Sequence, residues 1–314
     1  MRIVISEFMD AAAVEQLKAS FDTVYETSLV DHRAQLLAAV ADADGLIVRN
    51  RTQVDAEVLD AGGRLKVVGR LGVGLDNIDV AACKARSVEV IPASGANAAA
   101  VAEYVVGTAM VLLRGQYGAT AQVIDGKWPR GPLSTGRELG GKILGLIGCG
   151  YIGQLTARMA RALGMQVVAF DPALKSDDPA LKEIGIRLLP LKELLAEVDV
   201  VSLHVPLTDQ TRELLNREQM SAMKPGAIVI NTARGGIVDE QALADLLASG
   251  HLGGAAIDVF GQEPLPAGSP FTPLKGAANL ILTPHVAGVT TESNQRVSSM
   301  IAERVADFLR RAGG

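Results

Sequence analysis

The sequence is poor in cysteine, in aromatic residues and in net positive charge, and the shortages of cysteine and of positive charge each exclude a class of protein. Its 314 residues include two cysteines, Cys83 and Cys149, which cannot form a disulfide framework and therefore favour a reducing cytoplasm. Only 4% of the residues are aromatic. The formal net charge of −5 argues against a nucleic-acid-binding surface, which would carry a basic stripe.

Long apolar runs are also missing. Residues 101–113 form the most apolar stretch, but Glu103 and Tyr104 interrupt it, and it is shorter than the roughly 18 residues that a membrane span requires. The apolar run within the first seven residues is far too short for a signal peptide. We therefore expect a cytoplasmic protein that binds neither membrane nor nucleic acid, and we assign no metal-binding residues.

Strand and helix patterns alternate along the whole chain. Hydrophobic residues make up 48% and charged residues 21%, an ordinary globular composition, and the length suits about two domains. Short runs rich in Val and Ile predict strands, and the helical periods between them often begin near Asp, a good N-cap. The predicted strands form two series: 2–6, 23–26, 45–49, 65–71 and 88–93, then 143–148, 165–171, 198–204, 227–232, 255–260 and 280–283.

Two series of strand–helix–strand units predict an α/β protein with two doubly wound parallel-sheet lobes. A long helix over 98–114 precedes the second series, and a last helix over 292–311 is expected to pack back on the first lobe, which makes that lobe discontinuous. Residues 115–141 break the alternation and contain Tyr117 and the only tryptophan, Trp128. This segment is interpreted as a subunit contact, with a surface excursion packed on its own domain as the alternative.

The strongest motif is a glycine-rich turn between a predicted strand and a predicted helix. In Gly148-Cys149-Gly150-Tyr151-Ile152-Gly153 the first glycine permits a tight turn, the second lets a pyrophosphate approach, and the third lets helix and strand pack closely. The next strand ends in Asp171, placed to accept hydrogen bonds from ribose hydroxyls. Because this carboxylate would repel a 2′-phosphate, we predict NAD rather than NADP, although Lys175 is close. A plain glycine turn beside a solvated acid is the alternative.

Two of the four histidines follow predicted strands. His285 is the candidate for proton transfer, since histidine titrates near neutral pH and small residues follow this one. His204 either lines the cofactor or is a structural histidine. His32 and His251 are interpreted as surface residues.

Two charged residues also follow strands of the second series. Glu263 would orient the ring of His285 if the two side chains met. Arg234 would grip a carboxylate through two parallel hydrogen bonds. Each residue alone is more simply a member of a surface ion pair. Their common position at the strand ends of one dinucleotide-binding lobe favours an active site.

These motifs resemble the D-isomer-specific 2-hydroxyacid dehydrogenases over nearly the full length, and most closely the phosphoglycerate dehydrogenase branch with its sulfolactate dehydrogenases. The resemblance implies a Rossmann NAD-binding domain over 98–286. It also implies a flavodoxin-like substrate-binding domain over 1–97 and 287–314, with a cleft between the two, and a homodimer. The matching pieces are Gly72–Asp79, Gly148–Gly153, Asn231–Gly236, Asp258–Phe260, Glu263-Pro264 and Thr283–His285.

The resemblance also assigns roles to matched positions. Catalysis would fall to Arg234, Glu263 and His285, with His285 as the proton donor in reduction. The expected NAD contacts are Gly148, Gly150, Tyr151, Ile152, Gly153, Asp171, His204, Thr232, Ala233, Asp258, His285 and Gly288. The expected substrate contacts are Arg49, Val73, Gly74, Asn97, Arg234 and His285.

The substrate is the least determined part. Arg49, Arg51 and Arg70 follow or end strands of the first lobe and would suit a second anionic group, a sulfonate or phosphate, although exposed solubilising charges explain Arg51 and Arg70 equally well. We favour (S)-sulfolactate narrowly over D-3-phosphoglycerate or another 2-hydroxy acid. An NAD-sensing corepressor is the alternative from another class. Formate dehydrogenase relatives are disfavoured because they carry glutamine where this chain has Glu263.

Overall fold

The computed structural model describes residues 1–313, and the chain divides into two compact units. The first unit contains Met1–Asn97 and the residues from Val289 onward, and the second contains Ala98–Gly288. The return to the first unit therefore follows Gly288, two residues later than the sequence predicts. The reason is that the backbone N–H groups of Val286 and Ala287 bind the carboxylate of Asp258 in the second unit. Strands β1–β12 and helices α1–α12 are numbered along the chain.

The first unit is built on a five-stranded parallel sheet in the order β2-β1-β3-β4-β5. This is the flavodoxin-like order, in which the sheet grows in opposite directions from β1 and β3. Ligands of such sheets bind outside the carboxyl ends of the strands at this switch point. The strands are β1 Arg2–Ile5, β2 Asp22–Tyr25, β3 Gly45–Val48, β4 Val67–Arg70 and β5 Glu89–Pro92.

Three helices of the first unit begin at an Asp side-chain cap, and the helices of this unit cover both faces of its sheet. Asp10, Asp55 and Asp79 each accept a backbone N–H of the helix that follows, as the Asp-rich helix starts predict. The last helix packs on β4 at Gly69, where a Cβ atom would come within 2.8 Å of Ile301 and Val305. The helices are α1 Ala11–Lys18, α2 Arg33–Val40, α3 Ala56–Ala61, α4 Val80–Ala85 and α12 Thr291–Gly313.

The second unit is built on a seven-stranded parallel sheet in the order β12-β11-β10-β9-β6-β7-β8. Its switch point lies between β6 and β9, as in the dinucleotide-binding fold. Both sheets are parallel and carry helices, so the predicted α/β fold class with two doubly wound sheets is confirmed. The strands are β6 Ile143–Ile147, β7 Gln166–Phe170, β8 Ile186–Leu188, β9 Val200–Leu203, β10 Ile228–Asn231, β11 Gly254–Ile257 and β12 Leu280–Leu282.

Two apolar layers, one on each face, bury this sheet. Helix α5 coincides with the predicted long helix, whereas β8 was not predicted because the exposed Arg187 interrupts its short apolar run. Residues 115–141 hold one short helix and two turns of 3₁₀ helix. The helices are α5 Ala98–Arg114, α6 Thr120–Ile124, α7 Tyr151–Ala162, α8 Pro179–Ile184, α9 Leu191–Glu197, α10 Arg217–Ser221 and α11 Glu240–Ala248.

Within residues 1–313, no single helix is long and apolar enough to cross a membrane. Only α5 taken together with the segment Tyr117–Ile124, across a bend of 67°, reaches the required length and composition.

Candidate active site

The glycine-rich turn between β6 and α7 has one glycine that faces open space and two that pack. Gly148 adopts a φ of +90°, and a Cβ atom there would lie 2.6 Å from the carbonyl oxygen of His204. A Cβ atom on Gly153 would lie 2.6 Å from the carbonyl oxygen of Gly148. At Gly150 a Cβ atom would meet nothing within 4 Å, so the N-terminus of α7 is open where a pyrophosphate would bind.

Asp171, the residue after β7, is fixed beside this turn. Its Oδ2 accepts the N–H of Cys149 at 2.9 Å and its Oδ1 accepts the N–H of Ala173 at 2.9 Å. The acid thus lies at the carboxyl end of its strand, next to the glycine-rich turn, where ribose hydroxyls would reach it. Tyr151 and Ile152 open α7, with Tyr151 exposed. The turn, the open glycine and the acid together fit NAD.

Cys149 and His204 at this edge are held uncharged. Burial and the nearby Asp171 raise the pKa of the Cys149 thiol to about 12. Burial lowers the pKa of His204 to about 4, so its ring is neutral near pH 7. The Nε2 atom of His204 lies 3.0 Å from the Oγ of Ser202. His204 is therefore a neutral group lining the switch point rather than a second acid.

The loop after β10 is shaped by Asn231. Its Oδ1 accepts the N–H of Ala233 at 3.0 Å, and its Nδ2 donates to the carbonyl of Arg234 at 2.9 Å. The Nη1 of Arg234 donates to the carbonyl of Ala233 at 2.6 Å. The hydroxyl of Thr232 is buried and has no hydrogen-bond partner within residues 1–313. A buried unpaired hydroxyl calls for a partner, so it is available to a bound cofactor.

A close backbone approach joins this loop to the loop after β11. A Cβ atom on Gly235 would lie 1.8 Å from the carbonyl oxygen of Phe260, so only glycine fits there. The Oε1 of Glu263 in turn accepts the N–H of Phe260 at 3.0 Å. Arg234 and Glu263 are thus carried by two loops that touch at Phe260.

His285 and Glu263 form the pair that the sequence analysis anticipates. The Nδ1 of His285 lies 2.8 Å from the Oε2 of Glu263. The two side chains remain 41% and 35% exposed, which leaves the far side of the imidazole accessible. The contact joins residues 22 apart in the chain, and it fixes the ring's orientation.

The turn that carries His285 is held by the carboxylate of Asp258, which is 1% exposed. Its Oδ1 accepts the N–H of Val286 at 2.8 Å, and its Oδ2 accepts the N–H of Ala287 at 2.8 Å. The N–H of His285 donates to the carbonyl of Asp258 at 2.8 Å, and His285 adopts a φ of +57°. Such a left-handed conformation is uncommon outside glycine and persists because these bonds over-determine it.

Two residues that the sequence analysis did not single out complete this network. The Oγ1 of Thr283 donates to the Oδ1 of Asp258 at 2.5 Å, and the hydroxyl of Tyr104 lies 2.7 Å from Thr283 Oγ1. Since the Thr283 proton points to the carboxylate, Tyr104 donates to Thr283. Burial and the charge of Asp258 raise the pKa of Tyr104, which keeps it a donor. Thr283 sits in the quoted motif, but Tyr104 lies 179 residues away and gave no signal.

The expected substrate-contact residues of the first unit lie on its own loops. Arg49 follows β3 at the switch point of that sheet and is half-buried. Val73 is exposed and Gly74 half-buried, in the loop after β4. The Oδ1 of Asn97 is buried and has no hydrogen-bond partner in the described part of the chain.

Gly288, the last of the expected NAD contacts, is the last residue of the second unit.

Within residues 1–313 no group of three or more His, Cys, Asp or Glu side chains is placed to hold a metal ion.

Comparison with known proteins settles the family. The family model for "D-isomer specific 2-hydroxyacid dehydrogenase, NAD binding domain" matches residues 106–287. The chain belongs to the D-isomer-specific 2-hydroxyacid dehydrogenase family. It is 51% identical over 303 residues to (S)-sulfolactate dehydrogenase of Chromohalobacter salexigens, covering 96% of each chain. It is 43% identical to D-3-phosphoglycerate dehydrogenase of Mycobacterium tuberculosis over 87% of this chain but only 50% of that longer relative.

A solved structure agrees with this assignment. D-lactate dehydrogenase from Aquifex aeolicus, complexed with NAD and lactic acid, superposes with a TM-score of 0.85 at 29% identity, covering 99% of this chain and 96% of that one. The chain is therefore an NAD-type dehydrogenase that acts on a CH–OH group. The predicted family and cofactor are confirmed.

The environment of His204 predicts a specific acid sensitivity. Its folded pKa of about 4 lies below the value of about 6.5 that an unfolded chain gives, so the unfolded state binds the proton first as the pH falls. The stability that the neutral ring supports is fully present above about pH 6.5 and is lost as the pH falls from there to about 4. His204→Asn should therefore lose less stability than the wild type between pH 7 and pH 5, measured as the urea midpoint.

The matched control is His32→Asn, in which an exposed histidine is replaced. It should follow the wild-type pH dependence. If the urea midpoint of His204→Asn fell with pH in parallel with that of the wild type, His204 would not be protonated preferentially in the unfolded state.

Proposed function

We propose that this chain is a cytoplasmic NAD-dependent dehydrogenase that interconverts a D-configured 2-hydroxy acid with an anionic tail and its 2-oxo acid. The favoured reaction is (S)-sulfolactate to sulfopyruvate, and D-3-phosphoglycerate is the second candidate. The observation that carries the proposal is the hydrogen-bonded pair of His285 and Glu263 on loops of the NAD-binding unit. Such an oriented imidazole is suited to move a proton at a hydroxyl or carbonyl oxygen.

The proton steps follow from the geometry of the pair. Because Nδ1 of His285 is turned to Glu263, its Nε2 is left for the substrate oxygen. In reduction the imidazolium donates its Nε2 proton to the carbonyl oxygen at C2, and in oxidation the neutral ring takes the hydroxyl proton there. The carboxylate of Glu263 holds the ring in this orientation through its contact with Nδ1. NAD, when bound, accepts or returns the hydride at C2.

Arg234 is proposed to bind the carboxylate of the substrate. Its loop touches the Glu263 loop through the backbone approach of Gly235 to Phe260, so the two loops lie side by side. A planar guanidinium binds a carboxylate through two parallel hydrogen bonds, which fixes the direction of the adjoining C2 atom.

The proposed cofactor contacts are the turn and strand ends described above. The open side of Gly150 and the N-terminus of α7 suit the pyrophosphate, Asp171 suits the adenosine ribose, and the buried hydroxyl of Thr232 lacks a polar partner that a cofactor would supply. His204 and the turn from His285 to Gly288 complete the set. Asp258 acts on this set through the turn that it holds, since its buried carboxylate already accepts three donors.

Among the arginines of the first unit, Arg49 is the best candidate for the substrate's tail. Arg51 is exposed and paired with Asp31, so its charge is already neutralised. Arg70 donates to the carbonyl of Leu71 at 3.1 Å. Arg49 is half-buried, and within residues 1–313 no carboxylate lies at ion-pairing distance from its guanidinium; burial lowers its pKa. A partly buried cation without a counter-ion favours binding an anion.

The substrate class and the cofactor preference are tested together with a panel of 2-hydroxy acids. With NAD, sulfolactate should give the highest kcat/KM, phosphoglycerate a lower one and lactate the lowest, followed by NADH absorbance. NADP should give a much lower kcat/KM, since the carboxylate of Asp171 repels a 2′-phosphate. A higher kcat/KM for lactate than for both tailed acids would overturn the proposed substrate class. No turnover of any acid with tight NAD binding would favour the sensor function.

His285→Ala should lower kcat by at least about 100-fold because proton transfer contributes about 10²–10⁴ in rate. Its affinity for NAD, measured by fluorescence titration, should stay near the wild-type value.

In the wild type, the rate of oxidation should rise with pH and the rate of reduction should fall, because the two directions need opposite protonation states of one imidazole. Equal, flat profiles in both directions, or near-full turnover in the variant, would remove His285 from the mechanism.

We also propose that the chain forms a homodimer through residues 117–128. Tyr117, Ile124 and Trp128 are 65%, 80% and 76% exposed on this one segment. Clustered apolar surface of this kind marks protein contacts, and the family resemblance implies a dimer. The double variant Ile124→Lys and Trp128→Lys should sediment as one chain where the wild type sediments as two. Leu163→Lys, an exposed leucine elsewhere in the same unit, should stay dimeric. A dimeric double variant would refute this interface.

A further inference from the structure

Glu7, the second residue after β1, is a buried acid that binds backbone rather than a cation. It is 5% exposed, and its carboxylate accepts four successive N–H groups of the loop after β3. The bonds to Oε1 come from Arg49 at 2.9 Å and Thr52 at 2.9 Å, and those to Oε2 from Arg51 at 3.1 Å and Asn50 at 3.4 Å. Successive N–H groups pointing to one place form an anion-binding concavity, which this chain fills with its own carboxylate.

Two further side chains hold the same loop. The Oγ of Ser6 lies 2.9 Å from the Oγ1 of Thr52. The Nδ2 of Asn77 donates to the carbonyl of Thr52 at 2.7 Å and to that of Arg49 at 3.4 Å. The backbone at Arg49 is therefore bound from both sides, its N–H by Glu7 and its carbonyl by Asn77.

The head of the Arg49 side chain is held in a way that leaves its charge available. Its guanidinium carbon lies 5.7 Å from the centre of the Phe8 ring, and its Nη2 donates to the Oδ1 of Asn294 at 3.1 Å. A ring face and an amide oxygen orient a guanidinium without neutralising it. The carboxylate of Glu7 binds backbone N–H groups and forms no ion pair with Arg49, although its charge still acts on the guanidinium from a distance.

We propose that Glu7 is a positioning residue for the substrate's anionic tail. It shapes the loop 49–52 so that Arg49 stands at the carboxyl end of β3, oriented by Phe8 and Asn294 and free of a carboxylate. This inference rests on the proposed function, in which Arg49 binds that tail. Glu7, a buried acid that touches no substrate, thereby contributes to substrate selectivity.

The same unit contains a buried acid that serves as a matched control. Asp44 precedes β3, at the opposite end of the sheet, and is 3% exposed. It accepts the N–H of Arg2 at 2.8 Å and lies 3.7 Å from Arg64 and 3.8 Å from Lys66. Loss of either acid should weaken the first unit, but only loss of Glu7 should alter the Arg49 loop.

The experiment compares kcat/KM for sulfolactate and for lactate, which lacks the tail. Glu7→Gln replaces one acceptor oxygen by an NH₂ group, which leaves two loop N–H groups without partners. The sulfolactate-to-lactate ratio should fall about tenfold, equivalent to about 1.4 kcal/mol, with kcat for lactate little changed. Arg49→Met should lower the ratio at least as much. In the Arg49→Met background, Glu7→Gln should change it less than about twofold, because the two residues act as one unit.

Asp44→Asn should reduce the urea midpoint without changing the ratio. Glu7→Asp, which keeps the charge but is one methylene shorter, should move the ratio in the same direction as Glu7→Gln and provides a milder variant. An unchanged ratio in Glu7→Gln and Glu7→Asp, beside a reduced one in Arg49→Met, would refute the role of Glu7 alone. An unchanged ratio in Arg49→Met would refute tail binding by Arg49, and the role of Glu7 with it.

Discussion

The active site depends on one buried carboxylate, that of Asp258. It follows β11 directly, while Thr283 follows β12 directly, and the two strands pair in register up to Ile257 and Leu282. Sheet pairing therefore brings the acid and the hydroxyl together before any loop forms. The carboxylate then binds the N–H groups of the His285 turn, which sets the histidine in a backbone conformation it would not adopt alone.

Rigidity of this kind matters because proton transfer needs the ring in one orientation at the moment the substrate oxygen changes charge. A ring on a free loop would sample many orientations, and each would have to be lost on binding. Here the backbone turn is fixed by Asp258 and the ring by Glu263, two separate acids. Asp258 contacts only the backbone of the turn and Glu263 contacts the ring itself, so positioning of the backbone and of the side chain is divided between them.

The fold and part of the site follow from the sequence because their signals are local. The alternation of Val- and Ile-rich runs with helical periods gives both sheets, and helix α5 falls where its apolar period places it. Most of the predicted strands run one to three residues too long, because the residues that flank a strand continue its extended pattern without pairing in the ladder. The roles of Asp258 and Glu7 were not predicted because their partners lie at least 25 and 42 residues away, and no local pattern marks which donors they meet.

The choice between Arg49 and Arg51 shows the same limit. The two lie on one loop, two residues apart, and carry identical chemistry. The difference lies in what other parts of the chain bring to them: Asp31 neutralises Arg51, whereas Phe8 and Asn294 orient Arg49 without neutralising it. Because Arg49 is partly buried, leaving its charge without an ion-pair partner costs free energy. A protein retains such a cost at a site where a bound ligand supplies the missing negative charge. An arginine without an ion-pair partner, beside an acid whose oxygens bind backbone N–H groups, is therefore the arrangement that the proposed anion-binding role of Arg49 requires.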